Sequence, residues 1–162
     1  GFTEQVPLTT FVATTKKKRP VRFQDYRFRF VTIRPGKFFG YRREMVGDLP
    51  TIVADEAKAI VDSLDLPDYA GGLGEIAKAL RAALDIVEVD TLVQYANRMG
   101  DRSLGSRLGY LLETLGQPAE GLIKSASPVK LDVSGSRGGE TDPHWQGIVN
   151  VPERSLVPQG VG

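Results

Sequence analysis

The chain has 162 residues, of which 41% are hydrophobic and 25% are charged, a composition that is ordinary for a soluble globular domain. It contains no cysteine, which excludes disulfides and thiolate metal sites and fits a cytoplasmic location. No apolar run approaches the roughly 20 residues of a membrane-spanning helix, so we expect no membrane partner. The net charge of +1 conceals a polarised sequence, because the first fifty residues contain eleven basic and four acidic residues, against ten and sixteen in the remainder.

The first fifty residues are expected to form strands. The run Phe11–Thr14 is β-branched and aromatic, and the polar segment 15–20 after it is typical of a loop. Aromatic and basic residues then alternate from Tyr26 to Phe30, a period of two that predicts a half-buried strand with a basic outer face. Two further runs are separated only by Gly47-Asp48 and predict a tight hairpin, namely Tyr41–Val46 and Leu49–Val53.

The middle of the chain contains four segments with the apolar spacing of amphipathic helices. The first follows the capping candidate Asp55 and ends at Leu66-Pro67, the second follows the break at Gly71-Gly72, and the third and fourth end before Gly100 and Gly116. Asp90 is predicted to cap the third helix, and either Asp101 or Ser103 the fourth. The four segments run from Asp55 to Leu66, from Leu73 to Leu84, from Asp90 to Met99 and from Asp101 to Leu115.

The last forty residues return to strand and loop signals. Val129–Val133 and Trp145–Val151 are strand candidates, and the segment 134–139 between them is a Gly/Ser-rich loop. Strands followed by helices and then by strands predict an α+β domain. We expect a mainly antiparallel sheet, built from the first fifty residues and the tail and packed with about four helices. This domain is expected to span residues 1–155, with a flexible tail at 156–162.

The basic residues of the first fifty positions are the strongest candidate site. A loop tip and one face of a neighbouring strand would present them to nucleic acid or to an acidic protein surface. For any single residue, a solvated surface charge is the favoured alternative. The candidate contacts to a nucleic-acid backbone are Lys16, Lys17, Lys18, Arg19, Arg27, Arg29, Arg42 and Arg43. A second and weaker group, for which a solvated helix face is favoured, is Arg98, Arg102 and Arg107.

Patterns of catalytic and metal-binding residues are poorly represented. His144 is the single histidine, so no second imidazole can share a metal, and we interpret it as a surface or packing residue. Glu56 and Lys58 match an acid-x-Lys pattern of metal-dependent nucleases, but in the first turn of a helix their side chains point to different sides. A nearby acidic group, interpreted as solvated because hard cations want roughly six oxygens, is Asp62, Asp65 and Asp68. We therefore predict no catalytic residues, no metal and no cofactor.

Two long segments carry a family resemblance. They are VTIRPGKFFGYRREMVGDLPTIVADEAKA, from Val31 to Ala59, and QYANRMGDRSLGSRLGYLLETLG, from Gln94 to Gly116. Together they resemble the carboxy-terminal domain of AbiEi-type antitoxins. The opening segment Gly1–Pro7 and the late segment Trp145–Pro152 are similar to the edges of the same domain, so the resemblance covers most of the chain.

The resemblance implies a regulator and antitoxin of a two-gene type IV toxin–antitoxin system tied to phage defence. In such proteins an amino-terminal winged helix-turn-helix binds promoter DNA. The second domain supports cooperative repression and counteracts a nucleotidyltransferase-like toxin, usually without a stable complex. Because the chain opens at Gly1 without an initiating methionine, we expect it to be this second domain alone, without the winged helix. The resemblance offers no catalytic residues.

Two alternatives to this reading stay open. The first is a protein-interaction or oligomerisation module that uses the basic face to meet an acidic partner or a second copy of the chain. The second, less favoured, is a metal-dependent nuclease-like enzyme that uses Glu56 and Lys58, which would require both residues to lie on a strand.

Overall fold

The chain divides into two compact units, Gly1–Phe39 and Gly40–Gly162, where the sequence predicted one domain over residues 1–155. We call them the first unit and the second unit. The computed structural model describes residues 8–14, 19, 21–23, 26–32 and 34–157.

The first unit contains a three-stranded sheet. Its strands are β1 (Leu8–Thr14), β2 (Val21–Phe23) and β3 (Tyr26–Thr32), arranged in the order β1-β3-β2. β1 pairs with β3 in parallel along its whole length, and β2 pairs with β3 in antiparallel orientation. The predicted strand of alternating aromatic and basic residues is thus β3. β2 was not predicted, because a run of three residues is too short to show a period of two.

A hairpin opens the second unit, as predicted. Its strands are β4 (Tyr41–Val46) and β5 (Leu49–Ala54), and Val46 lies opposite Leu49 in the register. The connection is therefore two residues long. Gly47 has a φ of +62°, a conformation that glycine adopts without steric cost and that tight hairpin turns require.

Four helices form the core of the second unit. They are α1 (Glu56–Asp65), α2 (Leu73–Ala83), α3 (Val89–Met99) and α4 (Arg102–Thr114). The α+β class and the four predicted helices are confirmed. Their apolar stripes face one another, because each helix can remove only one face from water. The core side chains with no more than 1% exposure include Val61, Leu64, Ile76, Leu80, Leu92, Leu104, Leu108, Leu111 and Leu112.

The helix starts follow capping chemistry. Asp55 accepts a hydrogen bond from the Lys58 backbone N–H at 2.8 Å, as expected of the N-cap of α1. Asp101 caps α4 and accepts from the Ser103 N–H at 2.9 Å. The prediction of Asp90 as the cap of α3 is wrong by two residues, since Glu88 is the extended residue before that helix. Asp90 lies in the first turn, where its negative charge interacts favourably with the positive end of the helix dipole.

The tail pairs with itself and not with the strands of the first fifty residues. β6 (Val129–Lys130) and β7 (Gly147–Ile148) form a two-stranded parallel sheet. The described strands therefore form three separate small sheets, and the tail strands pair with each other. The tail strands are shorter than predicted because the Asn150 side chain, and not a neighbouring strand, bonds the backbone groups of Asp132. Its amide accepts from the Asp132 N–H and donates to the Asp132 carbonyl, both at 2.9 Å.

The packed chain extends beyond residue 155. Leu156 is 1% exposed, and its carbonyl oxygen accepts a hydrogen bond from Arg81 Nη1 at 2.8 Å. Leu156 is therefore packed in the second unit, and the flexible tail at 156–162 stays a prediction because residues 158–162 lie outside the described residues. No helix in the described part of the chain is long and apolar enough to cross a bilayer.

Candidate functional site

Charge separates along the same boundary as the two units. The first unit contains nine basic and two acidic residues, a formal charge of +7. The second contains twelve basic and eighteen acidic residues, a formal charge of −6. The excess basic charge of the first fifty residues therefore belongs to the first unit, since the hairpin contributes as many acids as arginines.

The basic candidates of the first unit lie on its sheet and between its strands. At the level of the backbone, Arg22 lies opposite Arg27, and Arg29 follows Arg27 by two residues on β3. Opposed residues and residues two apart share one face of a sheet, so these three arginine positions lie on the same face. Arg19 is exposed between β1 and β2. Lys16, Lys17 and Lys18 lie outside the described residues.

Arg42, on β4 of the second unit, is held by two carboxylates. Its Nη1 and Nη2 atoms donate to Glu56 at 2.7 and 2.8 Å, and its Nε atom donates to Glu44 at 2.7 Å. These bonds lower the pKa of Glu56 to about 2 and raise the pKa of the Arg42 guanidinium. Arg43 is exposed and lies opposite Ile52, on the other face of the hairpin. The hairpin thus separates these two predicted contacts.

The second basic group does not form one patch. Arg98 and Arg102 are exposed, and Arg102 borders a cavity of about 160 Å³ together with Asn97 and Asp101. Arg107 is partly buried, and its Nε atom donates to the Lys130 carbonyl at 2.9 Å. Burial lowers the pKa of Arg107. Arg107 therefore connects α4 to β6, away from the two exposed arginines.

Glu56 and Lys58 do not converge on a common site. Both lie in the first turn of α1, as predicted. Glu56 binds Arg42 at the surface, whereas Lys58 is fully buried and its Nζ atom lies 2.6 Å from Asp62 Oδ1. A metal and its water would need both groups in one solvent-accessible place.

Lys58 is the buried member of a polar cluster, which we define as Tyr41, Asp55, Lys58, Asp62 and Tyr95. The ammonium group lies 6.0 Å from the centre of the Tyr41 ring. The Tyr95 hydroxyl donates to Asp55 Oδ2 at 2.7 Å, which raises the pKa of Tyr95. Burial, and then the charge of Asp62, raise the pKa of Tyr41 to about 12. The cluster joins β4, α1 and α3, so its arrangement supports the fold.

A cleft that the sequence did not predict lies beside Trp145. It has a volume of about 290 Å³ and opens between the end of α4, the segment 117–124 and the turn at His144. Trp145 is 5% exposed, and its Nε1–H donates to Glu113 Oε2 at 2.7 Å. The Trp145 ring lies directly against Gly109 of α4, where an added Cβ atom would come within 2.3 Å of it. A glycine at this position is thus what lets the indole reach the cleft.

The polar groups of the cleft converge around this indole. His144 is exposed, as expected of a surface histidine, and its ring stacks on Trp145 with centroids 4.5 Å apart. Its Nδ1 atom lies 3.9 Å from Glu113 Oε1. The Lys124 ammonium donates to the His144 carbonyl and lies 5.5 Å from the centre of the Trp145 ring. An aromatic wall, a carboxylate and a cation therefore meet in one place.

Metal ligands do not cluster in the described part of the chain. No three histidine or acidic side chains there lie close enough to hold one ion, which includes Asp62, Asp65 and Asp68. Comparisons with models of known protein families, with curated proteins and with solved structures found no match. The resemblance to AbiEi-type antitoxins therefore stays a prediction from the sequence.

Proposed function

We propose that this chain is a non-enzymatic regulatory module whose first unit binds the backbone of nucleic acid. The observation that carries the proposal is the shared face of Arg22, Arg27 and Arg29 in the β2–β3 register. Three arginine positions on one sheet face, together with the four basic residues 16–19 of the sequence, suit a row of phosphates.

The distribution of charge supports the same role. The first unit carries +7, and attraction of a polyanion to such a surface increases the rate of encounter. The second unit carries −6, and an acidic surface would repel the same polyanion. Binding would therefore take place through the first unit, with Lys16, Lys17, Lys18, Arg19, Arg27 and Arg29 as the main contacts. Arg42 would contribute little, because its charge is matched by Glu56 and Glu44.

Contacts of this kind position a protein on nucleic acid and do not read its sequence. The described part of the first unit contains strands and a 3-10 helix of three residues at Pro35–Lys37, and no α-helix that would enter a major groove. In the antitoxin and transcriptional regulator that the resemblance implies, a winged helix would select the promoter. This module would add affinity to autorepression and would counteract a nucleotidyltransferase-like toxin.

Reversal of charge on the loop tests the proposal. The variant Lys16→Glu, Lys17→Glu, Lys18→Glu should bind promoter-length duplex DNA more weakly than the parent chain, in titrations at several salt concentrations. The slope of log K against log salt is negative, and each lost phosphate contact reduces its magnitude by about 0.9, so loss of three contacts should reduce the magnitude by roughly three.

A matched variant separates position from total charge. Lys78, Arg137 and Arg154 are exposed residues of the second unit, and their replacement by glutamate changes the net charge by the same amount. This control should keep most of the parent slope. Equal losses in the two variants, or no loss in either, would refute a site on the first unit.

One observation favours a protein-interaction module as the second candidate. Met45 and Ile52 are 63% and 61% exposed, and the register places both on one face of the hairpin, next to Arg43. Exposed apolar side chains of this size are common at binding surfaces. A partner captured from lysate after nuclease treatment, and lost on Ile52→Ser, would favour this candidate.

A further inference from the structure

We propose that the cleft beside Trp145 receives a basic side chain, lysine or arginine, from a protein partner. This site lies wholly in the second unit, so it does not depend on the proposed nucleic-acid surface. The cleft is proposed to bind a cation, whereas the nucleic-acid surface of the first unit is proposed to bind anionic phosphates.

The shape of the cleft suits a single side chain. Its volume of about 290 Å³ lies at the lower limit of pockets that hold whole small-molecule ligands, which span roughly 300–1,000 Å³. Pro118, Ala119 and Leu122 supply an apolar lining. The aliphatic stem of lysine or arginine gains from such a lining while its charged end stays near polar groups.

The charge of the cleft determines which side chain fits. Glu113 and Glu120 place two carboxylates on its lining, against the one ammonium group of Lys124. That ammonium group is directed to the His144 carbonyl and to the Trp145 ring. Glu113 uses Oε2 to accept from the indole, and its Oε1 atom lies 3.9 Å from His144 Nδ1, beyond hydrogen-bond distance. Oε1 is therefore the acceptor that an incoming ammonium or guanidinium group would reach.

The acceptor is held in place before any partner arrives. Trp145 fixes Glu113 through the indole N–H, and Asp142 fixes Trp145 by accepting from its backbone N–H at 2.6 Å. Gly109 allows the ring to lie against α4. A preorganised acceptor loses little conformational entropy on binding, which favours recognition by one charged group.

The single tryptophan makes the cleft directly observable. The protein gives one indole N–H resonance, and that N–H donates to the proposed acceptor. We expect the peptide acetyl-Leu-Arg-Leu-amide to shift this resonance saturably when it is titrated into the full chain. The same peptide with citrulline in place of arginine has the same shape without the charge, and it should bind at least about tenfold more weakly.

Two variants and a control locate the effect. Glu113→Gln keeps an acceptor for the indole N–H and removes the negative charge, and it should lower the affinity for the arginine peptide by about tenfold. Glu120→Gln removes the second negative charge and should also lower this affinity. Glu88→Gln changes the charge equally at an exposed position before α3 and should leave the affinity unchanged.

Three results would overturn the proposal. They are an indole resonance that does not shift with the arginine peptide, equal affinity for the citrulline peptide, and an affinity that Glu113→Gln leaves unchanged. A last titration uses free agmatine, a small molecule that carries the guanidinium group of arginine without a peptide. If agmatine binds as tightly as the peptide, the cleft is a site for a small amine and not for the side chain of a partner.

Discussion

The two units use their basic residues differently. In the second unit, the basic residues that donate to a carboxylate or a carbonyl of the same unit include Arg42, Lys58, Arg81, Arg107, Lys124 and Lys130. In the first unit, nine basic residues meet only two acids in the sequence, and three arginine positions share a sheet face. Internal partners in the second unit hold helices and loops together. A surplus of one sign in the first unit instead favours an external partner.

The largest expected effect tests whether the second unit depends on an internal ion pair. Asp62→Asn removes the charge opposite the fully buried Lys58 ammonium, 2.6 Å away. A buried charge that loses one close counter-charge destabilises a fold by about 3 kcal/mol, so urea unfolding followed by helical circular dichroism should show a loss of this size. Asp85→Asn, at an exposed position after α2, should stay within about 0.5 kcal/mol of the parent. Equal stability of the two variants would contradict an internal role for Lys58.

A smaller effect tests how closely the second unit is packed. At Gly105 of α4, an added Cβ atom would come within 2.0 Å of the Ile123 carbonyl oxygen, so Gly105→Ala must displace backbone. We expect a loss of about 2 kcal/mol in thermal or urea unfolding, despite the better helix propensity of alanine. The nearest atom to a Cβ at Gly74 of α2 lies 3.5 Å away, so Gly74→Ala should be neutral or slightly stabilising. A neutral Gly105→Ala would show that the 121–124 segment does not lie against α4.

The smallest effect is a titration of the polar cluster around Lys58. The pKa of Tyr41 is raised from 10 to about 12, so the folded chain retains a proton that the unfolded chain loses between these values. Its contribution to stability is therefore complete below pH 10 and is lost as the pH rises through 12. Tyr41→Phe should remove one phenol from the late phase of phenolate absorbance. Asp62→Asn should move that phase to lower pH; an unchanged late phase in Tyr41→Phe would contradict the assignment.

The helices and the hairpin could be predicted because their signals are local. Apolar spacing, the cap at Asp55 and the turn at Gly47 each depend on residues a few positions apart. The start of α3 was two residues in error because both Glu88 and Asp90 are acids near a helix start, and backbone geometry decides between them. The division into two units follows from long-range contacts, which composition does not encode.

The tail and the cleft could not be predicted for a related reason. Glu113, Lys124 and Trp145 come from three segments that share no periodicity, so no local signal predicts that they line one cleft. The predicted tail strands had the right apolar composition, but pairing stops where side-chain amides take the backbone groups. The sequence shows where the basic residues lie along the chain. It does not show that Arg42 and Arg107 donate hydrogen bonds to groups of the same unit.

The amide of Asn150 has a consequence for how this fold tolerates mutation. It hydrogen-bonds the N–H and the carbonyl of Asp132 and also donates to the Ser136 carbonyl at 2.8 Å. One side chain thus replaces the backbone partners that a neighbouring strand would provide. A true strand keeps its backbone bonds through almost any substitution, because every residue except proline carries the same peptide group. Here that protection is lost. A single substitution of Asn150 would therefore disrupt the hydrogen bonds that close the 132–136 loop. Asn150→Asp would place a negative charge next to the carbonyl oxygens of Asp132 and Ser136.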